Sequence, residues 1–311
     1  MKFILLTQNA PKEETQIGEL KISPNKRVKI ITESMTMYWD SMNVEVSVTD
    51  WSVVNEWVTF HNIIFNDSIS LEWYESENFN SDKLISDGEC VDLVDYSDIS
   101  KKVYFLEVYP SVIRYEDLYN KYIGQSKENK ALVKNYFNSF GDKRVVFTER
   151  KIRDDNFLRI LVLFSIIESI IGDSPYCPKK ISCCVHGKIY PHKTMSSKDW
   201  IKSRLSEIIK NKEKADAYSV VVLEVREKIR HKTVHKGAIS EAQHIPQAEG
   251  EITWDWVKTT EEWSTNSTAL ENLQIQMNDI ARSLLLNRIF DLTMFPALRP
   301  LHSVRISSKV G

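Results

Sequence analysis

The sequence predicts an α+β protein, with an N-terminal antiparallel β-rich domain followed by a C-terminal all-α helical bundle. Apolar and polar residues alternate over residues 44–48 and 69–73, which is the period of a half-buried strand. After about residue 150 the apolar residues recur every three or four positions, which is the period of a helix. The 311 residues are enough for about two domains.

The N-terminal half is predicted to form a β-rich domain over residues 1–110. Further β-rich runs at 27–32, 53–65 and 102–109 are separated by polar breaks, a pattern typical of a sandwich or barrel of short strands. It contains no catalytic motif, and we expect His61 to be packed rather than a ligand. Its tryptophans suit a core or a recognition surface, and the domain would then sense an unknown trigger or partner: Trp39, Trp51, Trp57 and Trp73.

The rest of the chain is predicted to be helical. Residues 111–150 are interpreted as a helical connector, 151–295 as a helical domain and 296–311 as a basic tail. A helix starting at Asp154 and including 157–171 is apolar on nearly every face, so it should be buried, and its Glu168 then needs a partner. Amphipathic helices are predicted at 200–210 and 270–292.

Composition and glycine spacing exclude several classes of function. The formal net charge is -2, so any nucleic-acid contact must come from a local patch. The closest glycines, Gly237 and Gly250, are thirteen residues apart, which rules out a P-loop or a dinucleotide-binding fingerprint. The N-terminus lacks a signal-peptide core, and no apolar run is long enough to span a membrane. We therefore expect a cytoplasmic protein with reduced cysteines.

Residues 220–237 contain the most informative pattern in the chain. Val222, Val225 and Ile229 form an apolar helical stripe, and Gly237 follows as a stop. Within this stretch residues 226–236, the basic segment, carry a single acid, Glu227, among many cations and histidines. These are Arg226, Lys228, Arg230, His231, Lys232, His235 and Lys236.

The residues from Arg230 to His235 resemble the R-x4-H motif of the HEPN superfamily. The upstream helix with Glu168 and the long helix at 270–292 resemble the ApeA-like HEPN proteins of bacterial defence. This resemblance implies a metal-independent endoribonuclease, a toxin of anti-phage or abortive-infection type, acting as a homodimer or higher homo-oligomer with a composite site. His235 would move protons and Arg230 would stabilise the phosphorane charge.

The resemblance also assigns roles to the neighbouring residues. The expected supporting residues are His231, Glu168 and Arg226, and the expected RNA contacts are Lys228, Lys232 and Lys236. Gly237 stands where a toxin subgroup has a tyrosine that an antitoxin modifies, so that form of control is not expected.

The spacing of the motif leaves alternatives open. Arg230 and His235 lie about 140° apart on a regular helix, so they converge only if the helix ends near Val234 or a partner protomer completes the site. The rival functions are a non-catalytic HEPN-fold module that binds RNA or a nucleotide, and a structural interaction protein in a defence complex. The bland interpretation is a basic helix in which His235 caps its own carbonyls.

A cluster of cysteines and histidines precedes the motif. Five possible zinc ligands occur within sixteen residues: Cys177, Cys183, Cys184, His186 and His192. They are enough for a tetrahedral structural site, although their spacing is irregular. The alternative is that the cysteines are small buried apolar residues. Catalysis itself would need no cofactor.

Overall fold

The computed structural model describes residues 2–31, 36–47, 51–66, 84–100, 102, 112–138, 149–174, 181–182, 189–190, 195–230 and 267–298. The chain divides into two compact units. Unit 1 comprises residues 1–134 and 289–294, and unit 2 comprises 135–288 and 295–311. The N-terminal part contains an antiparallel sheet and the C-terminal part is mostly helical, so the predicted α+β class is confirmed.

Unit 1 is built on one antiparallel sheet. Its elements are β1 (Lys2–Thr7), β2 (Ala10–Pro11), β3 (Thr15–Ile17), β4 (Leu20–Ile31), β5 (Thr36–Val46), α1 (Trp51–Phe65), β6 (Leu84–Ser86), β7 (Leu93–Val94), α2 (Tyr115–Ile123) and α3 (Lys127–Asn138), whose last turn enters unit 2. The strand order is β1-β5-β4-β3, with β6 also pairing with β4, while β2 and β7 form a short parallel pair. The described strands thus form an open sheet rather than the predicted sandwich or barrel.

One face of this sheet carries the core of unit 1. Leu20, Ile22, Met42 and Val44 are fully buried; in the β4–β5 register Ile22 pairs with Val44, while Leu20 pairs with Val46 and Met42 with Pro24. The β3–β4 turn needs Gly18, whose φ of +57° lies in the left-handed region that side chains rarely adopt.

The predicted strand at 53–65 is wrong, because this segment is the helix α1. In its first half Val54, Trp57 and Val58 are buried while Ser52 and Asn55 are exposed, and residues 60–65 are all buried. The segment is rich in β-branched and aromatic residues, yet it is about twice the length of an ordinary strand. The predicted strand at 69–73 and residues 103–109 lie outside the described residues.

His61 is packed, as predicted, and is fully buried. Its Nε2 lies 3.4 Å from Thr7 Oγ1 and its Nδ1 lies 2.9 Å from the Tyr115 hydroxyl, so both ring nitrogens have polar neighbours. Trp57 belongs to the core and Trp39 is half-buried. The side chain of Trp51 and all of Trp73 lie outside the described residues.

Unit 2 is mostly helical. Its described elements are α4 (Glu149–Ile171), β8 (Ile181–Ser182), β9 (Ile189–Tyr190), α5 (Ser197–Ile209), α6 (Lys212–Glu224), a π-helix (Val225–Arg230) and α7 (Ser267–Phe290), whose last residues belong to unit 1. The helices predicted at 157–171, 200–210 and 270–292 are confirmed, although α4 begins five residues before Asp154. The predicted all-α composition is wrong in one place, because β8 and β9 pair as antiparallel strands.

Over residues 158–171, whose side chains are described, helix α4 is buried on one side and exposed on the other, which corrects the prediction that it is buried all round. Ile160, Leu163, Phe164 and Ile167 are fully buried. The opposite face, which we call the α4 stripe, consists of Leu158, Val162, Ser165 and Ser169, and all four side chains are exposed. Leu158 and Val162 of α4 therefore lie outside the described part of the core of unit 2.

Helix α7 contributes the buried residues Leu273, Met277, Ile280 and Leu284 to unit 2. Its Asn278 Oδ1 accepts a hydrogen bond of 2.7 Å from the Tyr136 hydroxyl. Among the residues that the structure describes, no helix is both long enough and apolar enough to cross a bilayer.

Candidate functional site

The predicted motif follows directly from the hairpin of α5 and α6. Lys210 takes a left-handed conformation, with φ of 57°, and Asn211 caps α6 by accepting a hydrogen bond from the Lys214 N–H at 3.1 Å. This tight turn packs α6 against α5. Val222 and Val225 are fully buried, as the apolar stripe predicts, so the direction in which the motif segment leaves α6 is fixed by the core.

The backbone changes from α-helix to π-helix at Val225 and stays π-helical through Arg230. Hydrogen bonds in a π-helix join residues five apart, instead of four as in an α-helix. Residues i and i+5 therefore lie nearly above one another. The separation of about 140° expected between such residues holds only for regular α-helical winding. Nothing in the sequence predicted this change of winding.

The π-helix lies against α4, as expected for the segments 157–171 and 222–234. Glu168 on α4 is half-buried, so it is neither the fully enclosed carboxylate that the sequence suggested nor a fully solvated one. A half-buried carboxylate keeps its charge at moderate cost and can still pair with a cation. Helix α4, which carries Glu168, therefore packs against the π-helix that carries Arg230.

The only acid of the basic segment, Glu227, is exposed and points to α5. Its Oε1 lies 3.8 Å from Lys198 Nζ. Arg226, the first cation of the segment, is half-buried. Since Glu227 has a lysine of α5 beside it, it does little to neutralise the cations that follow.

Several predicted site residues lie outside the described part of the chain. For Lys228 and Arg230 the backbone alone is described. The remaining residues of the motif are not described at all: His231, Lys232, His235 and Lys236.

The five predicted zinc ligands also lie outside the described residues: Cys177, Cys183, Cys184, His186 and His192. The strands β8 and β9 between them pair Ile181 with Tyr190 and Ser182 with Ile189. In the part of the chain that is described, no three histidine, cysteine, aspartate or glutamate side chains are grouped as a metal would require. The zinc site stays a prediction.

Unit 1 has a polar cleft of about 300 Å³ that the sequence did not predict. Its lining residues are Lys12, Glu13, Glu14, Thr15, Asp95, Tyr96, Ser97, Arg114 and Glu116. Arg114 is engaged by Glu116 at 3.1 Å and by Asp117 at 3.9 Å, so its charge is already compensated. The cleft contains no residue of the predicted motif and has no arrangement suited to nucleophilic or phosphoryl chemistry.

Comparison with known proteins finds no match for this chain, whether among family models, curated proteins or solved structures. The resemblance to the HEPN superfamily therefore depends on the motif residues and on the helices that carry them.

Proposed function

We propose that this chain is a metal-independent endoribonuclease of HEPN type, acting as a toxin-like effector in defence against phage. The observation that carries the proposal is the π-helix that ends at Arg230 and packs against α4. π-Helical turns occur frequently at functional sites, because the wider winding changes which side chains share a face.

Continued beyond Arg230, the winding of the π-helix would bring Arg230 and His235 to one face. These residues are five apart, which is the spacing that π-helical winding aligns on one face. A regular α-helix would separate them, and the observed π-helix covers only Val225–Arg230, so the two residues converge if this winding continues to His235 or if a partner protomer completes the site.

The proposed chemistry uses the 2′-hydroxyl of the RNA as nucleophile. His235 takes the proton from this hydroxyl or gives one to the departing 5′-oxygen, a role suited to a side chain that titrates near neutral pH. Arg230 offers a planar fork to the phosphate oxygens and keeps its charge at every relevant pH. Arg226, His231 and Glu168 would orient this pair, while Lys228, Lys232 and Lys236 would bind the RNA backbone.

We propose that the protein works as a homodimer that meets through the α4 stripe. Leu158 and Val162 are 55% and 37% exposed, and the stripe has no charged residue. The hydroxyls of Ser165 and Ser169 donate to the Leu161 and Ser165 carbonyls of their own helix, at 3.0 and 2.8 Å. Their donors are thus satisfied without water, which suits the stripe to contact with another helix.

The test is cleavage of RNA by purified protein, in buffer and in buffer with chelator. We expect activity in both, and products that end in a cyclic phosphate or a 3′-phosphate, because the RNA supplies the nucleophile. His235→Ala should lower the rate at least about 100-fold, and Arg230→Lys should also fail because an ammonium cannot replace a bidentate fork. Matched controls are His244→Ala and Arg204→Lys, which should retain activity.

Three outcomes would change the conclusion. Cleavage of DNA, or of RNA methylated on the 2′-oxygen at the cut site, would exclude attack by the 2′-hydroxyl. Full activity in His235→Ala would mean that the segment is a basic helix with no catalytic role. RNA binding without cleavage would favour the non-catalytic module, and the absence of both would favour a structural interaction protein.

A further inference from the structure

The strand β4 contains a bulge that changes which of its residues face the core. Pro24 pairs with Met42 of β5, but the next pair is Arg27 with Asp40. Two residues of β4 therefore oppose the single residue Ser41. Bulges of this kind re-aim the side chains that follow them and are found near functional sites.

The bulge places Arg27 and Lys29 on an unexpected face of the sheet. In a regular strand they would share a face with Lys21, since residues an even number apart point the same way. Because of the bulge they instead share the face of Ile22 and Val44, beyond the end of the apolar core. The same face of the sheet is thus apolar at one end and basic at the other.

An aromatic ring lies between these two cations. Tyr38 is the cross-strand partner of Lys29 and is 45% exposed. The centroid of its ring is 5.2 Å from Arg27 Cζ and 5.8 Å from Lys29 Nζ. We call Arg27, Lys29 and Tyr38 the basic strip.

Backbone hydrogen bonds hold the basic strip in place. Ser41 Oγ donates to the Lys26 carbonyl at 2.7 Å and accepts from the Lys26 N–H at 3.2 Å. The Arg27 N–H donates to the Gly88 carbonyl at 3.0 Å, and the Asp87 N–H donates to the Arg27 carbonyl at 2.9 Å. The bulge is therefore fixed on both sides, which lowers the entropy cost of presenting its side chains to a ligand.

The cations of the basic strip differ from those on the opposite face of the sheet, which are paired with carboxylates. Lys2 and Lys21, on that opposite face, pair with Glu45 at 2.7 Å and with Glu14 at 3.0 Å. Within the part of the chain that the structure describes, neither Arg27 nor Lys29 forms an ion pair with a carboxylate.

The carboxylate opposite Arg27 is engaged elsewhere. Asp40 is buried, and its Oδ2 accepts hydrogen bonds from the N–H groups of Val91 and Asp92 at 3.1 and 2.7 Å. Among the described residues the two cations of the strip thus lie close together without a carboxylate partner, a costly arrangement that an anionic ligand would relieve.

We propose that the basic strip binds single-stranded RNA, with a base stacked on Tyr38 and neighbouring phosphates on Arg27 and Lys29. Two residues apart on one strand, the cations are separated by about 7 Å, which is similar to the phosphate spacing of an extended single strand. Cations beside an exposed aromatic ring are the usual elements of single-strand binding. The choice of RNA over DNA rests on the proposed function. The proposal that the strip binds a single strand rests only on Arg27, Lys29 and Tyr38.

The experiment measures binding of a fluorescent oligouridylate of about twelve nucleotides by anisotropy, with the His235→Ala protein so that the RNA stays intact. Tyr38→Ala should weaken binding at least about fivefold, whereas Tyr38→Phe keeps the ring and should bind normally. The Arg27→Ala, Lys29→Ala double variant should reduce the slope of log affinity against log salt by about 1.4. The matched control is Lys2→Ala with Lys21→Ala, which removes the same charge from the opposite face.

Each contrary outcome has a distinct meaning. Equal weakening by the two double variants would show general charge attraction and overturn the proposal, as would RNA binding that ignores Tyr38→Ala. An acidic peptide that binds as tightly as the RNA would reassign the strip to a protein partner. Cleavage by the unaltered protein is measured separately, so loss of binding at the strip does not decide whether the chain is a ribonuclease.

Discussion

Glu168 lies half-buried on the helix that packs against the π-helix, which allows its proposed role to be tested with a single change. Glu168→Gln keeps the size of the side chain and removes its charge. If Glu168 orients the motif arginine, kcat should fall on the order of tenfold, the loss expected when a charge-assisted contact is broken. KM and the midpoint of thermal unfolding should hardly change, because the residue is only half-buried.

The matched control for Glu168→Gln is Glu207→Gln, which removes an exposed carboxylate of α5 that pairs with Arg204. It should leave the cleavage rate unchanged. If Glu168→Gln cleaves RNA at the normal rate, the carboxylate has no part in positioning Arg230.

At the scale of the element, the α4 stripe predicts a dimer that one substitution should break. Leu158→Asp places a charge on an exposed apolar position, so the monomer should stay folded while the contact with a second α4 becomes unfavourable. Light scattering coupled to size exclusion should show a shift from dimer to monomer, and RNA cleavage should fall with it. Ile275→Asp, at a 47% exposed position of α7, should leave the assembly intact.

A wild-type protein that is monomeric at micromolar concentration and still cleaves RNA would contradict the dimer. In that case the apolar surface of the α4 stripe needs another explanation, and Arg230 and His235 of a single chain would be sufficient for catalysis.

The elements that sequence patterns predicted are those with a long, regular period. Helices α4, α5 and α7 each present an apolar residue every three or four positions, and β5 alternates over its buried half, so their types were predictable. Helix α1 was mistaken for a strand because its many β-branched and aromatic residues outweighed its period. Composition favours a strand, while the segment is a helix whose residues 60–65 are all buried.

The bulge in β4 and the π-helix before Arg230 could not be predicted. Both add a residue to a regular repeat without changing the kinds of residue present, and the bulge depends on hydrogen bonds between segments far apart in sequence. Ser41 and Gly88 hold the bulge. The two features that matter most for the proposed sites are thus local departures from regular backbone, which periodicity does not detect.

At the scale of the whole molecule, buried tyrosines predict loss of stability in alkali. Burial raises the pKa of Tyr119 to about 12, and it raises the pKa of Tyr122, Tyr136 and Tyr218 as well. In the unfolded chain a tyrosine titrates at about 10. Above that pH the unfolded state loses protons that the folded state keeps, so the free energy of unfolding falls as pH rises.

We therefore expect the denaturant midpoint to be insensitive to tyrosine ionisation below about pH 10 and to fall between about pH 10 and 12, by up to about 1.4 kcal/mol per pH unit for each tyrosine. Tyr119→Phe should make this fall less steep. The exposed Tyr38, changed to Phe, should leave it unaltered. A midpoint that stays constant to pH 12 would mean that these hydroxyls are hydrated in the folded protein.

The C-terminal part of the chain returns to unit 1 for six residues, Ile289–Met294, before it re-enters unit 2. Phe290 packs there against Phe60 and Tyr122, with ring centroids 5.9 and 6.4 Å apart, and Asp291 pairs with Lys121. The gene segment for residues 1–134 therefore does not encode the whole of unit 1. A recombination event that exchanged this segment alone would leave the new unit beside a foreign Phe290, so the two units are expected to be inherited together and not as separate cassettes.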